Sequence, residues 1–105
     1  MTIRLDPENN ETAALIGAAG NFAGLRILEI GCGDGRQTFR YATEAAKVTA
    51  IDPNAEKIER ARQSTPPELA SQVDFRVASL EDFYAAWRSQ HRRRRFDRVL
   101  LSWSL

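Results

Sequence analysis

The chain has 105 residues, 43% hydrophobic and 28% charged, with a net charge of +1. That length suits one small domain with its own core, residues 1–105, and is too short for two. The balanced charge removes any general attraction to nucleic acid or to a membrane surface. No apolar run approaches the roughly 20 residues of a membrane-spanning helix, and the start "MTIRLDPENNE" holds no apolar signal segment. One cysteine, Cys32, has no partner for an internal disulfide and no metal-ligand spacing around it, so no metal is expected. The chain reads as cytoplasmic.

In chain order, "DPENNETAALIGAAGNFAG" opens with turn formers and then spaces Ala14, Leu15 and Ala18 as a helix does, with Asn9, Asn10 or Thr12 as cap and Gly20 as stop. "LRILEI" is a short apolar run, the first strand, broken by glycines. "RQTFRYATEAAK" places Phe39, Ala42 and Ala46 on one helical face. "VTAID" is the second strand, closed by Asp52-Pro53, and "NAEKIERARQS" is a helix capped by Asn54 with Ile58 and Ala61 inward. "PPELASQ" reads as a loop or short helical turn. "VDFRVA" is the third strand, "LEDFYAAWRSQ" a helix with Phe83 and Trp87 in the core, and "FDRVLLSW" the fourth strand.

Strands alternating with short helices imply βαβ units and a parallel sheet covered on both faces. With right-handed crossovers this is an α/β, Rossmann-like doubly wound parallel sheet of strand order 3-2-1-4. Ligands in such sheets bind beyond the carboxyl ends of the strands at the switch point. "GCGDG", Asp52, Ser79 and Ser102 each follow a strand end and so gather around one crevice.

The loop "GCGDG" puts Gly31, Gly33 and Gly35 on alternate positions. Glycine has no Cβ, so the chain turns sharply and a ligand comes close to backbone. The loop opens onto a helix start, where free N–H groups favour anions. Glu29 offers acceptors to a cation, and Asp52, at the end of the second strand, suits the two hydroxyls of a ribose. An amino acid moiety and a ribose in one crevice point to S-adenosyl-L-methionine. The competing dinucleotide fingerprint G-x-G-x-x-G needs glycine where this chain has Arg36.

From about residue 11 onward the chain resembles the N-terminal half of the class I S-adenosylmethionine-dependent methyltransferases. "LRILEIGCGDGR" is similar to their first motif, E-x-G-x-G-x-G; "VTAIDPNAEKIERAR", "VDFRVASLEDF" and "RFDRVLLSWSL" are similar to the segments of the next three strands. The resemblance implies methyl transfer from S-adenosyl-L-methionine, leaving S-adenosyl-L-homocysteine, to a small-molecule acceptor. It assigns the methionyl amino group to Glu29, close backbone approach to Gly31, Cys32 and Gly33, and the ribose to Asp52. It puts Pro53 beside the adenine and Ser102 near the methionine. Family members commonly carry aspartate at the position of Ser79, so the adenine contact passes in part to Leu80 or Glu81.

Plainer roles compete with several of these. Cys32 has no histidine placed to activate it, His91 reads as an exposed loop residue, and the arginines at 92–95 as a solvated loop at the amino end of the sheet. Asp34 reads as a loop-stabilising residue, and Trp103 equally as packing or pocket lining. No general base stands out. The family's domain has about seven strands and this chain stops after the fourth, so a truncated domain is expected, with an apolar open edge "VLLSW" available for self-association. A non-catalytic cofactor-binding or interaction module is the alternative function, and a dinucleotide-binding oxidoreductase domain the more remote one.

Overall fold

The computed structural model describes residues 3–6, 22–92 and 95–102. The helix expected before Gly20, together with Arg93, Arg94 and Trp103, lies outside the described residues. Five strands form one parallel sheet: β1 (Ile3–Asp6), β2 (Arg26–Ile30), β3 (Lys47–Asp52), β4 (Val73–Val77) and β5 (Arg98–Ser102), in the spatial order β1-β5-β2-β3-β4. The four sequence-read strands are β2 to β5, and they stand in the expected 3-2-1-4 order. β2 and β3 are central and buried through their middle three and four residues, as parallel strands covered on both faces must be.

The open edge expected on the last strand is not there. β1 pairs along β5 from Ile3↔Val99 to Asp6↔Ser102, so the chain's own start takes the edge that was expected to serve self-association. The segment "IRLD" alternates apolar and polar residues as a strand does, but four residues are too few to read as a strand from sequence. It is placed there by the unpaired N–H and C=O groups of β5, which need partners.

The helices differ in how well their local signals held. α1 (Thr38–Tyr41) is a single turn, not a helix reaching Lys47. Thr38, Tyr41, Ala42 and Ala45 are buried, while Ala46 is exposed and Phe39 only partly covered. The Ala46 N–H donates to the Leu25 carbonyl at 2.8 Å, which pulls the chain out of the helix and into β3. α2 (Ala55–Ser64) follows the sequence closely: Asn54 caps it by accepting from the Lys57 N–H at 3.0 Å, and Ile58 and Ala61 are buried. A 3-10 turn, Pro67–Leu69, buries Leu69. α3 (Leu80–Arg88) buries none of its residues fully. Phe83 and Trp87, expected in the core, are half-buried beside Phe96, with ring centroids 6.2 and 6.5 Å away.

Alternation along β2 separates the two faces. Glu29 points to α1, where Thr38 and Tyr41 meet it, and the main core lies on this side around Ile27, Val48, Ala50, Ile58, Phe75 and Leu100. Leu28 and Ile30 point to the other side and, with Val99 and Leu101, floor an apolar groove under Leu80 and Tyr84 of α3. Among the described residues no helix is long and apolar enough to cross a membrane.

Candidate functional site

The glycine loop is fastened to β3 before it turns. The N–H groups of Gly31 and Cys32 both donate to the Ile51 carbonyl, at 2.8 and 3.1 Å, and the Gly35 N–H closes the turn on the Cys32 carbonyl at 3.1 Å. Gly31, Gly33 and Gly35 all have positive φ, of 82°, 59° and 86°, a region that costs other residues about 1–2 kcal/mol. Their roles differ. At Gly33 a Cβ would meet nothing nearer than the Lys57 Cδ at 3.9 Å, so its missing side chain leaves open space above the loop. At Gly35 a Cβ would stand 2.9 Å from Phe75 Cζ and 3.2 Å from Phe39 Cζ. Gly35 is therefore demanded by the packing of the loop on two rings, themselves edge-to-face at 5.7 Å.

Asp52 joins the ends of the two central strands. Its carboxylate accepts from the Gly33 N–H at 2.9 Å with one oxygen and from the Asn54 N–H at 2.8 Å with the other. Each oxygen keeps a lone pair for a ligand hydroxyl. Pro53 is exposed beside it. Above the loop lies a small open cleft, lined by residues 31–34, Arg36 and Gln37 on one side, by Ser102 at the end of β5, and by Lys57 and Arg60 of α2. Ser102 is 5% exposed and its hydroxyl donates to Gln37 Oε1 at 3.0 Å, so the ends of β5 and of the loop are tied together. Asp34 accepts from the N–H and the Nε of Arg36, both at 3.3 Å, the loop-stabilising role expected of it.

Glu29 is not in this cleft. It is 1% exposed, and its Oε1 accepts from the hydroxyls of Thr38 and Tyr41, each at 2.6 Å. Burial raises its carboxyl above the ordinary value, with the hydrogen bonds from Thr38 and Tyr41 pulling the other way. The same burial, with the nearby negative charge of Glu29, pushes the Tyr41 phenol up. Glu29 thus acts here as a strut between β2 and α1 beneath the loop. Strand position alone placed it at the crevice; the alternation of side chains turns it inward instead.

Ser79 likewise serves the chain itself: its hydroxyl oxygen accepts from the Asp82 N–H at 3.1 Å and caps α3. Leu80, 43% exposed, lies over the apolar groove on the other face. Cys32 lines the cleft with a buried thiol whose pKa is pushed far up by desolvation and by the carboxylates of Glu29 and Asp52. It stays protonated and is no nucleophile. His91 is exposed. Sequence reasoning missed Gln37, Lys57 and Arg60 in the cleft. The spacing of Lys57 and Arg60, three apart on the helix following Asp52 and off its Ile58–Ala61 face, was the signal that could have found them.

The comparisons with known proteins agree with this architecture. A solved S-adenosylmethionine-dependent methyltransferase from Mesorhizobium loti superposes with a TM-score of 0.65 over 85% of this chain and 37% of its own, at 24% identity. Magnesium protoporphyrin IX methyltransferase from Synechocystis, solved with S-adenosylmethionine bound, does so with a TM-score of 0.62 at 25% identity, covering 89% of this chain and 41% of that one. In sequence, the chain is 31% identical over 81 residues to a magnesium-protoporphyrin O-methyltransferase of Rhodobacter capsulatus, 77% of this chain and 36% of the relative. It is 44% identical over 63 residues to a ubiquinone biosynthesis O-methyltransferase of Xanthomonas euvesicatoria, 60% of this chain and 26% of the relative. The chain thus spans between a quarter and about two fifths of the length of these proteins. Residues 27–105, from β2 onward, match the family model described as a methyltransferase domain, and with β2 to β5 in the family's order around the glycine loop, the chain belongs to the methyltransferase domain family.

Proposed function

We propose that the protein binds S-adenosylmethionine over the glycine loop and passes its methyl group to an oxygen of a small organic acceptor. The observation that carries this reading is the contact between the Asp52 carboxylate and the Gly33 N–H, which brings the acid at the end of β3 against the bare-backbone turn at the end of β2. Such a pairing suits a ligand with a ribose and a small polar group next to it. The cofactor would supply an electrophilic methyl on a sulfonium sulfur. Asp52 would hold the ribose hydroxyls, the loop from Gly31 to Gly33 would let the methionine end lie on backbone, and Ser102 would border that end. Catalysis would come chiefly from holding donor and acceptor in line. Cys32, kept protonated by its surroundings, is not a base for the acceptor. Oxygen as the receiving atom is supported by the relatives, which are O-methyltransferases.

A dinucleotide site is disfavoured by the position of the close approach. In G-x-G-x-x-G the third glycine lets helix and strand pack tightly. Here the tight contact is at Gly35, and Arg36, where that glycine would stand, has a side chain 81% exposed. Calorimetric titration with S-adenosylhomocysteine, and in parallel with NAD, tests the reading. Micromolar binding of the former alone is expected, weakened about tenfold or more in Asp52→Ala by loss of a hydrogen bond to a charged group, worth about 1.5–3 kcal/mol. Binding of NAD alone, or of neither, would sink it. Binding without methyl transfer to any hydroxylated acceptor would favour the non-catalytic module.

A further inference from the structure

α3 lies on the sheet face away from α1 and α2, and it buries none of its residues fully. Its Leu80 and Tyr84 stand exposed over the groove floored by Leu28, Ile30, Val99 and Leu101. Every residue lining that groove is aliphatic or aromatic, so an occupant must bring apolar side chains to it. The charges along α3 narrow the choice of occupant. Glu81 and Asp82 stand in its first turn and Arg88 in its last, with Arg92 just beyond, and all four are exposed. Residues 81, 84 and 88, spaced i, i+3 and i+7, share one side of the helix, so acid, tyrosine and base follow one another with Tyr84 near the middle. Neither Glu81 nor Arg88 has an opposite charge three or four positions away, and neither forms an ion pair among the described residues.

A uniformly anionic partner, such as an acidic lipid surface, would be repelled at Glu81 and Asp82. A second copy of this chain suits both ends at once. Turned about a two-fold axis near Tyr84, its α3 runs antiparallel, and Glu81 of each copy faces the partner's Arg88 in two identical contacts. Ala85, small and exposed at the same level, lets the two helices approach closely. We infer that two copies of the chain pair through α3 in this antiparallel sense, each copy's Leu80 and Tyr84 closing over the other's apolar groove. The charges set the direction of the pairing, and the apolar residues supply its affinity. With one nine-residue helix from each copy, the interface is small and the dimer weak, assembled only at high protein concentration.

Sedimentation velocity of the 105-residue chain at low ionic strength, over about 10–500 µM, tests the pairing. The wild type should shift from monomer to dimer as its concentration rises. Glu81→Lys and Arg88→Glu each set like charges at both contacts and should raise the dimer dissociation constant about fivefold to thirtyfold, less at high salt. In an equimolar mixture of the two variants, opposite charges meet again at both contacts, and the mixed dimer should form within about threefold of the wild-type affinity. The same is expected of the two substitutions combined in one chain. Tyr84→Lys, which removes the apolar centre, should leave a monomer throughout. Thermal unfolding checks that each variant keeps its fold, and Glu44→Lys, at an exposed acid after α1, is the charge control with an unchanged constant. A wild type that stays monomeric, or single variants with wild-type affinity, overturns the pairing. Single variants that are weakened and rescued neither by mixing nor by combination overturn it as well, because only antiparallel helices bring residues 81 and 88 together.

Discussion

Glu29, expected at the crevice, is met inside the fold by hydroxyl partners. An acid inside an apolar strand needs partners, and it has them in Thr38 and Tyr41 rather than in open space. Burial raises its pKa above the ordinary 4.5, so the folded protein holds this proton more tightly than the unfolded chain does. Its contribution to stability is then fullest below pH 4.5 and declines as the pH rises toward the raised value. Glu29→Gln keeps an acceptor for both hydroxyls and carries no charge. Its melting temperature should exceed that of the wild type at pH 8, and the difference should close near pH 4.5. Glu29→Ala strands two buried hydroxyls and should cost about 3 kcal/mol in denaturant unfolding. At Gly35, both φ and space are against a side chain. Gly35→Ala should destabilise by about 2–3 kcal/mol, with partial recovery when Phe75→Leu is added, since only the clash with the ring is then relieved. Gly33 was legible as a cleft residue because its reason is local; Gly35 was not, because its reason is two rings, one of them forty residues away.

At the scale of elements, the Asn54 cap was readable, while the Ser79 cap and the length of α1 were not. Asn54 and Ser79 both accept from an N–H three residues on, a relation contained in a few consecutive residues. Ser79→Ala should lower stability by about 1 kcal/mol while leaving the affinity for S-adenosylhomocysteine unchanged; a fall in affinity would restore the adenine contact that its place in the chain had indicated. α1 is shorter than its apolar spacing promised because two tertiary demands compete with it. Glu29 claims the hydroxyls of Thr38 and Tyr41, and the carbonyl of Leu25 claims the N–H of Ala46. Lys57 and Arg60 went unnoticed for a related reason: a charged pair on an exposed helix face is ordinary until a loop from another strand is laid against it.

Across the whole molecule, the two faces of the sheet are unequally covered. The α1–α2 side buries nearly all of the core, whereas α3 leaves Leu80 and Tyr84, 43% and 51% exposed, over a groove floored by Leu28, Ile30, Val99 and Leu101. An apolar surface of this kind should bind anilinonaphthalene sulfonate in the native state. Leu80→Lys with Tyr84→Lys should lower the dye's fluorescence severalfold with a shift of only a few degrees in melting temperature; undiminished fluorescence would place the dye elsewhere. β1 is the other global feature. It adds a fifth strand where the sequence left an apolar edge, and it does so by backbone pairing, which any short extended segment can supply.

By itself the sequence determined the parallel α/β class, the order of four strands, the glycine turn and the acid at the end of the second of those strands. Each of these rests on periodicity, on turn chemistry or on the handedness of crossovers, all of which act over short stretches or follow from chain order. Tertiary structure alone decided which way Glu29 faces, why Gly35 must be glycine, which cations look into the cleft, and what lies beside β5. These depend on the register between strands and on side chains far apart in sequence meeting in a close-packed interior, where a single face of a strand or one missing Cβ settles the outcome.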